Sequence, residues 1–379
     1  MTEKLFYQDS HRKTFTAKVL SCLPGKHGYD VVLDKTCFYP EGGGQPGDRG
    51  TLGSVPVTDT HERGEEIIHY CTAPLEEGAE VEGVLDWDYR FHLMQQHSGE
   101  HILSGFIHEA FGYNNVGFHM GADCVTIDFD GPLTAADLQK LERKVNRYIF
   151  EDHPVQTLLP KPEELEKLPY RSKKELTGEV RIVEFPGADL CACCGVHVKR
   201  TGEIGPVKII SSQKFHDGVR LEILAGNAAL DYMFPCCEEN KKISGMLSVK
   251  PLETSAAAER LCKELAETKF RAGKLEDAVF AAKAAEYQNS GDVLLFEEGL
   301  SPDGVRRLTD AVFKICGGRA AVFSKTETGY SYAVASKEDI RTFVKEMNTA
   351  LNGRGGGKPN FCQGSVAATK EEIANFFSC

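Results

Sequence analysis

At 379 residues the chain exceeds one ordinary domain, and a hydrophobic content of 41% is enough for real cores. No apolar run is long enough to span a bilayer, and the opening MTEKLFYQDSHRKTF lacks the charged-then-apolar layout of a secretory signal, so a cytoplasmic protein is expected. A net charge of −12 disfavours non-specific coating of nucleic acid, though not a local basic face, and 13 cysteines in a reducing compartment argue against a disulfide framework.

Residues 1–85 read as a small β-barrel: TFTAKVLSCL and YDVVLDKTCFY have strand character, and GKHGY and GGGQPGDRG are turns. Residues 86–226 read as a mixed α+β domain. Asp86 or Asp88 caps its first helix, which buries Leu103, Phe106, Ile107 and Ala110 and stops near Gly112. VTIDFD is a strand, AADLQKLERKVNRYIFE an amphipathic helix, and GPVKIISSQKFHDGVRLEILAG two strands joined by a turn. Residues 227–290 read as helical. From Ser255, Ala258, Leu261, Leu265, Thr268, Ala272, Leu275 and Val279 recur at alternating threes and fours, the seam of an antiparallel helical pair with the preceding helix. Residues 291–379 form a compact α/β unit with the loop GRGGGKPNF.

His97 and His101, in HSGEH, share one helix face and can point at a single ion, although a polar stripe has the same spacing. The cluster CACCGVH offers partners: Cys193 and His197 form a CxxxH pair, and Cys191 or Cys194 could stand in for Cys193. Imidazoles plus a thiolate suit tetrahedral Zn²⁺. FYPEGGGQPGDRG is not a phosphate loop, since no GKS or GKT follows; Glu41, Gln45 and Asp48 could line a small polar pocket, or the loop could be a cluster of turns. Two stretches run against the acidic balance, 196–220 and 337–358.

In this order, LDKTCFYPEGGGQPGDRG, HSGEH, CCGVHVKRTGEIGPVKI and GRGGGKP closely resemble the editing half of alanyl-tRNA synthetase and its free-standing relatives, the AlaX alanyl-tRNA editing proteins. The resemblance spans essentially the whole chain, including the C-terminal DHH-associated domain that marks the long AlaX form. It implies one Zn²⁺ on His97, His101, Cys193 and His197; Glu100, beside these ligands in the sequence, is a candidate to hydrogen-bond and orient a ligand imidazole. It also implies an amino-acid pocket of Thr36 and Gln45, with Glu41 in the same loop and His119 as a third pocket residue. The implied partner is tRNA(Ala) wrongly charged with serine or glycine, and the implied reaction is hydrolysis of the ester to the terminal ribose. Arg341, Lys345, Arg354 and Lys358 would contact phosphates, and the helical pair or the C-terminal domain would support a homodimer. The chain departs from the family in reading CACCGVH for a CGGTH-like run and EGGGQ where synthetases usually have ESGGQ.

The chemistry is coherent. A site built for alanine cannot exclude glycine by size and rejects serine's hydroxyl poorly, so a second site must read that hydroxyl by hydrogen bonds. Alanine would leave such groups unpaired, at about 1–3 kcal/mol each. Aminoacylation is not expected, because class II activation motifs are not apparent. Phosphoesterase activity is not expected either, because no Asp-His-His triplet occurs. The alternative is a non-catalytic, zinc-stabilised tRNA-binding module, which would need the metal ligands and basic tail but neither Thr36 nor Gln45.

Overall fold

Along Thr14–Gly25 (β1) polar and apolar residues alternate, and Phe15, Ala17 and Val19 are buried while their neighbours face water. Gly28–Leu33 (β2), Gly50–Leu52 (β3), Val55–Arg63 (β4), Glu66–Cys71 (β5) and Glu80–Leu85 (β6) join it in a closed barrel of order β1-β2-β5-β4-β3-β6. Val31, Leu33, Phe38, Leu52, Val57 and Leu85 fill its interior. The structure, a computed structural model, describes residues 1–172 and 180–378. It divides into two units, Met1–Glu239 and Asn240–Cys379.

After the barrel comes Trp87–Phe111 (α1). Asp86, not Asp88, accepts the Tyr89 N–H at 3.2 Å, and Gly112 closes the helix with φ 73°. One buried ion pair ties α1 to the barrel. Arg90 is fully buried; its Nε donates to Asp48 Oδ1 at 2.8 Å and its Nη2 to Asp48 Oδ2 and to the Cys37 carbonyl. Asp48 ends the glycine loop, so the start of the helix is fixed to that loop. Asn115–Met120 (β7) and Val125–Phe129 (β8) precede Ala135–Phe150 (α2), whose Thr134–Asp137 capping box was not read from the sequence. Gln156–Leu158 (β9), Ile182–Phe185 (β10) and Asp189–Ala192 (β11) make a three-stranded sheet. Val207–Phe215 (β12) and Gly218–Ala225 (β13) complete a four-stranded sheet of order β12-β13-β8-β7. The core lies between this sheet, α1 and α2 and includes Ile102, Phe106, Ile127, Val145, Leu221 and Ile223.

Gly226–Leu247 (α3) crosses the unit boundary and is followed by Thr254–Ala285 (α4). Here the seam expectation is corrected. Leu261, Leu265, Leu275 and Val279 are 54%, 52%, 70% and 62% exposed, so among the described residues no packed antiparallel pair covers them. The helix instead buries Phe280 and Ala284, one register over, against Pro302–Cys316 (α5). Gly291–Glu298 (β14), Gly317–Thr326 (β15), Gly329–Ala335 (β16), Gly353–Lys358 (β17) and Phe361–Val366 (β18) form a sheet of order β14-β15-β16-β18-β17. Ala320 and Val322 face α5, whereas Ala321 and Phe323 face Val344 and Met347 of Arg341–Ala350 (α6). Alternation along β15 thus builds three layers.

Candidate metal centre

From one face of α1, His97 and His101 meet Cys193 and His197 of the loop after β11, and the four ligand atoms lie within 4.8 Å of one another. Cys193 Sγ is 3.5 Å from His97 Nε2 and 3.4 Å from His197 Nε2. Ordinary Zn–S and Zn–N bonds at tetrahedral angles set such edges at about 3.6 Å, so donor types and spacing both fit Zn²⁺. The loop can approach this closely because residue 195 is glycine: a Cβ there would stand 2.3 Å from His97 Cε1.

Each imidazole has an outer partner. His97 Nδ1 is 2.9 Å from Gln45 Oε1, His101 Nδ1 is 2.8 Å from Asp189 Oδ2, and His197 Nδ1 is 3.1 Å from Ser98 Oγ. With the proton on Nδ1 in each ring, Nε2 is left as the ligand atom. Asp189 is itself held by Arg171, whose Nε and Nη2 donate to it at 2.7 and 2.9 Å. Burial would lift the Cys193 thiol, but the neighbouring His97 and His101 carry it well below its ordinary value, toward the thiolate that binds metal. Burial, with His97 beside it, pushes His197 down to about 3 and so keeps that ring neutral.

Of the pocket residues expected from the sequence, only Gln45 meets the donors. Its Oε1 also accepts the Val196 N–H at 3.2 Å, while its buried Nε2 makes no hydrogen bond among the described residues. Thr36 is committed elsewhere. His69 Nδ1 lies 3.0 Å from the Val31 carbonyl and so carries the proton; the Thr36 hydroxyl donates to His69 Nε2 at 2.8 Å and accepts the Phe38 N–H at 3.1 Å. Glu41 is exposed on the loop's outer side, 3.8 Å from His61 Nε2. His119 is exposed too: strand alternation along β7 turns its neighbour Phe118, instead, onto the His97 ring at 5.1 Å. Glu100 accepts from Ser104 Oγ and Asn115 Nδ2 at 2.6 and 2.5 Å rather than supporting a ligand imidazole. Cys194 turns toward Tyr39 and the glycine loop, and Cys191 is grouped with His101 and Asp189.

Sequence reasoning missed Ser98, Phe118 and Asp189. Asp189 begins the DLCACCGVH stretch, so an acid close to the ligand loop was the available signal; Phe118 had none. Arg181 was also missed. Its Nη1 donates to the Cys193 and Gly195 carbonyls, both at 2.8 Å, and so shapes the ligand loop.

In the C-terminal unit, Arg341, Lys345 and Arg354 line one open groove of about 530 Å³ with Gly355, Gly356 and Gly357. Lys358 sits at the far end of the same edge strand. Arg341 is already paired with Asp339, whereas Lys345, Arg354 and Lys358 are exposed cations.

Comparisons with known proteins match three family descriptions: "tRNA synthetases class II (A)" over residues 3–89, "Threonyl and Alanyl tRNA synthetase second additional domain" over 180–221, and "DHHA1 domain" over 287–378. The alanyl-tRNA editing protein AlaX-L of Pyrococcus horikoshii is 29% identical over 98% of this chain and 96% of its own length. The alanyl-tRNA editing protein Aarsd1 of Danio rerio is 28% identical over 95% of this chain and 92% of its own. The alanine–tRNA ligase of Pyrococcus abyssi is 32% identical over 98% of this chain, which spans only 43% of that enzyme. These likenesses bear out the recognition made from the motifs.

Proposed function

We propose, for a chain recognised as a relative of the free-standing alanyl-tRNA editing proteins of the long AlaX form, that it deacylates tRNA(Ala) mischarged with serine and, second, with glycine. The observation that carries the zinc-dependent form of this reading is the convergence of three oriented imidazoles and a thiolate beside Gln45. His97, His101, Cys193 and His197 would hold the ion, which when bound supplies a Lewis acid for polarising a carbonyl and acidifying water.

The chain's own groups do the rest. Water adds to the ester carbon, the bond to the ribose oxygen breaks, and that oxygen takes a proton, releasing amino acid and tRNA. Gln45 Nε2 is a fixed, unspent donor for the substrate's hydroxyl or carbonyl. Phe118 and the glycine loop wall the site: a Cβ on Gly44 would stand 2.5 Å from the Phe118 ring. Lys345, Arg354 and Lys358 are suited to tRNA phosphates, which also need the glycine strand's close approach. The exposed row on α4 is where a homodimer would form, and sedimentation of the full chain tests it. A cytoplasmic location fits this reading; among the described residues, no helix is long and apolar enough to cross a membrane.

One observation favours the alternative of a non-catalytic tRNA-binding module: four side-chain donors fill a tetrahedral shell, as structural zinc sites do. Hydrolysis of Ser-, Gly- and Ala-tRNA(Ala), with and without a chelator, separates the two. The editing reading expects chelator-sensitive loss of the Ser and Gly esters and slow loss of the Ala ester. Rapid hydrolysis of Ala-tRNA(Ala) would contradict proofreading, and no hydrolysis of any of the three would leave the binding module.

A further inference from the structure

Helix α2 buries Leu138, Leu141, Val145, Tyr148 and Ile149. That sets Lys140, Arg143 and Arg147 outward at spacings of three and four, and all three are exposed. Phe150 continues the row and is 75% exposed. Arg143, Asn146, Arg147 and Phe150 line an open groove of about 520 Å³, with Glu142 and Glu151 at its edges. Both acids are occupied. Glu142 receives Lys208 Nζ at 2.8 and 3.0 Å and the Ile209 N–H at 2.8 Å, and Glu151 lies 3.0 Å from His153 Nε2. Arg143 and Arg147, by contrast, make no side-chain hydrogen bond or salt bridge among the described residues.

We propose that this outer face of α2 binds the sugar–phosphate backbone of an RNA, with Arg143 and Arg147 on phosphates and Phe150 against a ribose or an unstacked base. The guanidinium fork matches phosphate oxygens in a bidentate manner, and an exposed ring accepts nucleotides without regard to sequence. On a chain of net charge −12, two unpaired arginines on one helix face form a local exception that a polyanion would seek. Position argues for RNA over an acidic peptide. Helix α2 packs on α1, which carries His97 and His101, through the Phe106–Tyr148 ring contact at 5.6 Å. An RNA with its acylated end at the metal centre would therefore have this face within its reach. This choice of ligand rests on the editing reading.

The test uses the full chain with Arg143→Ala/Arg147→Ala, set against Lys18→Ala/Lys26→Ala, which removes the same charge from exposed barrel positions. Affinity for uncharged tRNA(Ala) is measured from about 50 to 200 mM salt, where each lost phosphate contact flattens the log–log slope by roughly 0.7–0.9. The arginine pair is expected to flatten it by roughly 1.4–1.8 and to raise KM for Ser-tRNA(Ala), with unchanged zinc content and circular dichroism. The lysine pair is expected to leave the slope alone, and Arg143→Lys/Arg147→Lys to restore it. Equal effects from the two alanine pairs, or a wild-type slope in the arginine variant, would overturn the proposal. If wild type binds tRNA through these arginines yet deacylates nothing, the editing reading fails while this surface stands.

Discussion

At the residue scale, Gln45 has two separable tasks. Its Oε1 fixes the His97 tautomer, and its Nε2 is a buried donor with no partner among the described residues. A buried unpaired donor costs about 1–3 kcal/mol, which is tolerable where a substrate atom will fill it. Gln45→Ala should lower Ser-tRNA(Ala) deacylation roughly tenfold to a hundredfold, with tRNA binding retained. Gln45→Glu keeps an acceptor for His97 but removes the donor, so it should retain zinc and still lose rate. A glutamate variant with wild-type rate and full zinc would refute the donor role. Asp189 acts one layer out, through His101. Asp189→Asn should weaken zinc binding by about 10–100-fold, read by competition with a chromogenic chelator. Unaltered affinity would mean that Arg171 and Asp189 only brace the loop. The two ligand pairs were legible because metal chemistry restricts ligands to a few residue types at tight spacing, but the choice of Cys193 over Cys191 or Cys194 came from the family resemblance. Ser98 and Asp189 were not legible, since serine and aspartate serve in many other roles; Gln45 was expected in the pocket but not as a partner of His97, and Thr36, expected beside it, is absorbed by His69 within the barrel.

At the scale of elements, the site depends on how the glycine loop is joined to α1. The joint is the buried Arg90–Asp48 pair, and burial lifts Asp48 above its ordinary carboxylate range in spite of Arg90. Such a pair is weak evidence of net stability, but removing one partner strands the other. Asp48→Asn should cost about 3–5 kcal/mol in denaturant unfolding, while Arg90→Met/Asp48→Asn should recover much of it; a loss that does not recover would place the effect elsewhere. The barrel also carries a pH dependence. Burial pushes His69 down to about 4, from an ordinary 6.5. Between those values the unfolded chain binds the extra proton, so stability rises with pH across that window. It falls away toward pH 4 by on the order of 3 kcal/mol. The difference in unfolding free energy between wild type and His69→Gln should follow that slope and flatten above pH 7; a flat difference from 4 to 6.5 would contradict a buried neutral ring. The sequence offered no cue to either device. A buried charge is invisible to periodicity, and Asp48 looks like any turn aspartate.

At the scale of the molecule, legibility followed the reach of each signal. Local signals, such as the Asp86 cap, the Gly112 stop and the ligand spacing, survived folding because caps and ligand pairs are decided within a turn of helix. The heptad seam on α4 did not, because a periodic row names two possible faces and tertiary packing chose Phe280 and Ala284. The two-unit division places every expected metal ligand in residues 1–239 and the cationic groove in 240–379. Zinc should therefore stabilise the units unequally. An ion held at a thousand times its dissociation constant adds about 4 kcal/mol to whatever unfolds with its site. Hydrogen exchange on the full chain, with and without a chelator, reads this directly. Peptides from α1 and from β10–β11 should lose protection when the metal is removed, while β14–β16 exchange as before. Equal loss in both units would mean that the metal acts beyond its own unit; no loss in α1 would mean that the site holds its arrangement without it, through the hydrogen bonds of the three imidazoles to Gln45, Asp189 and Ser98.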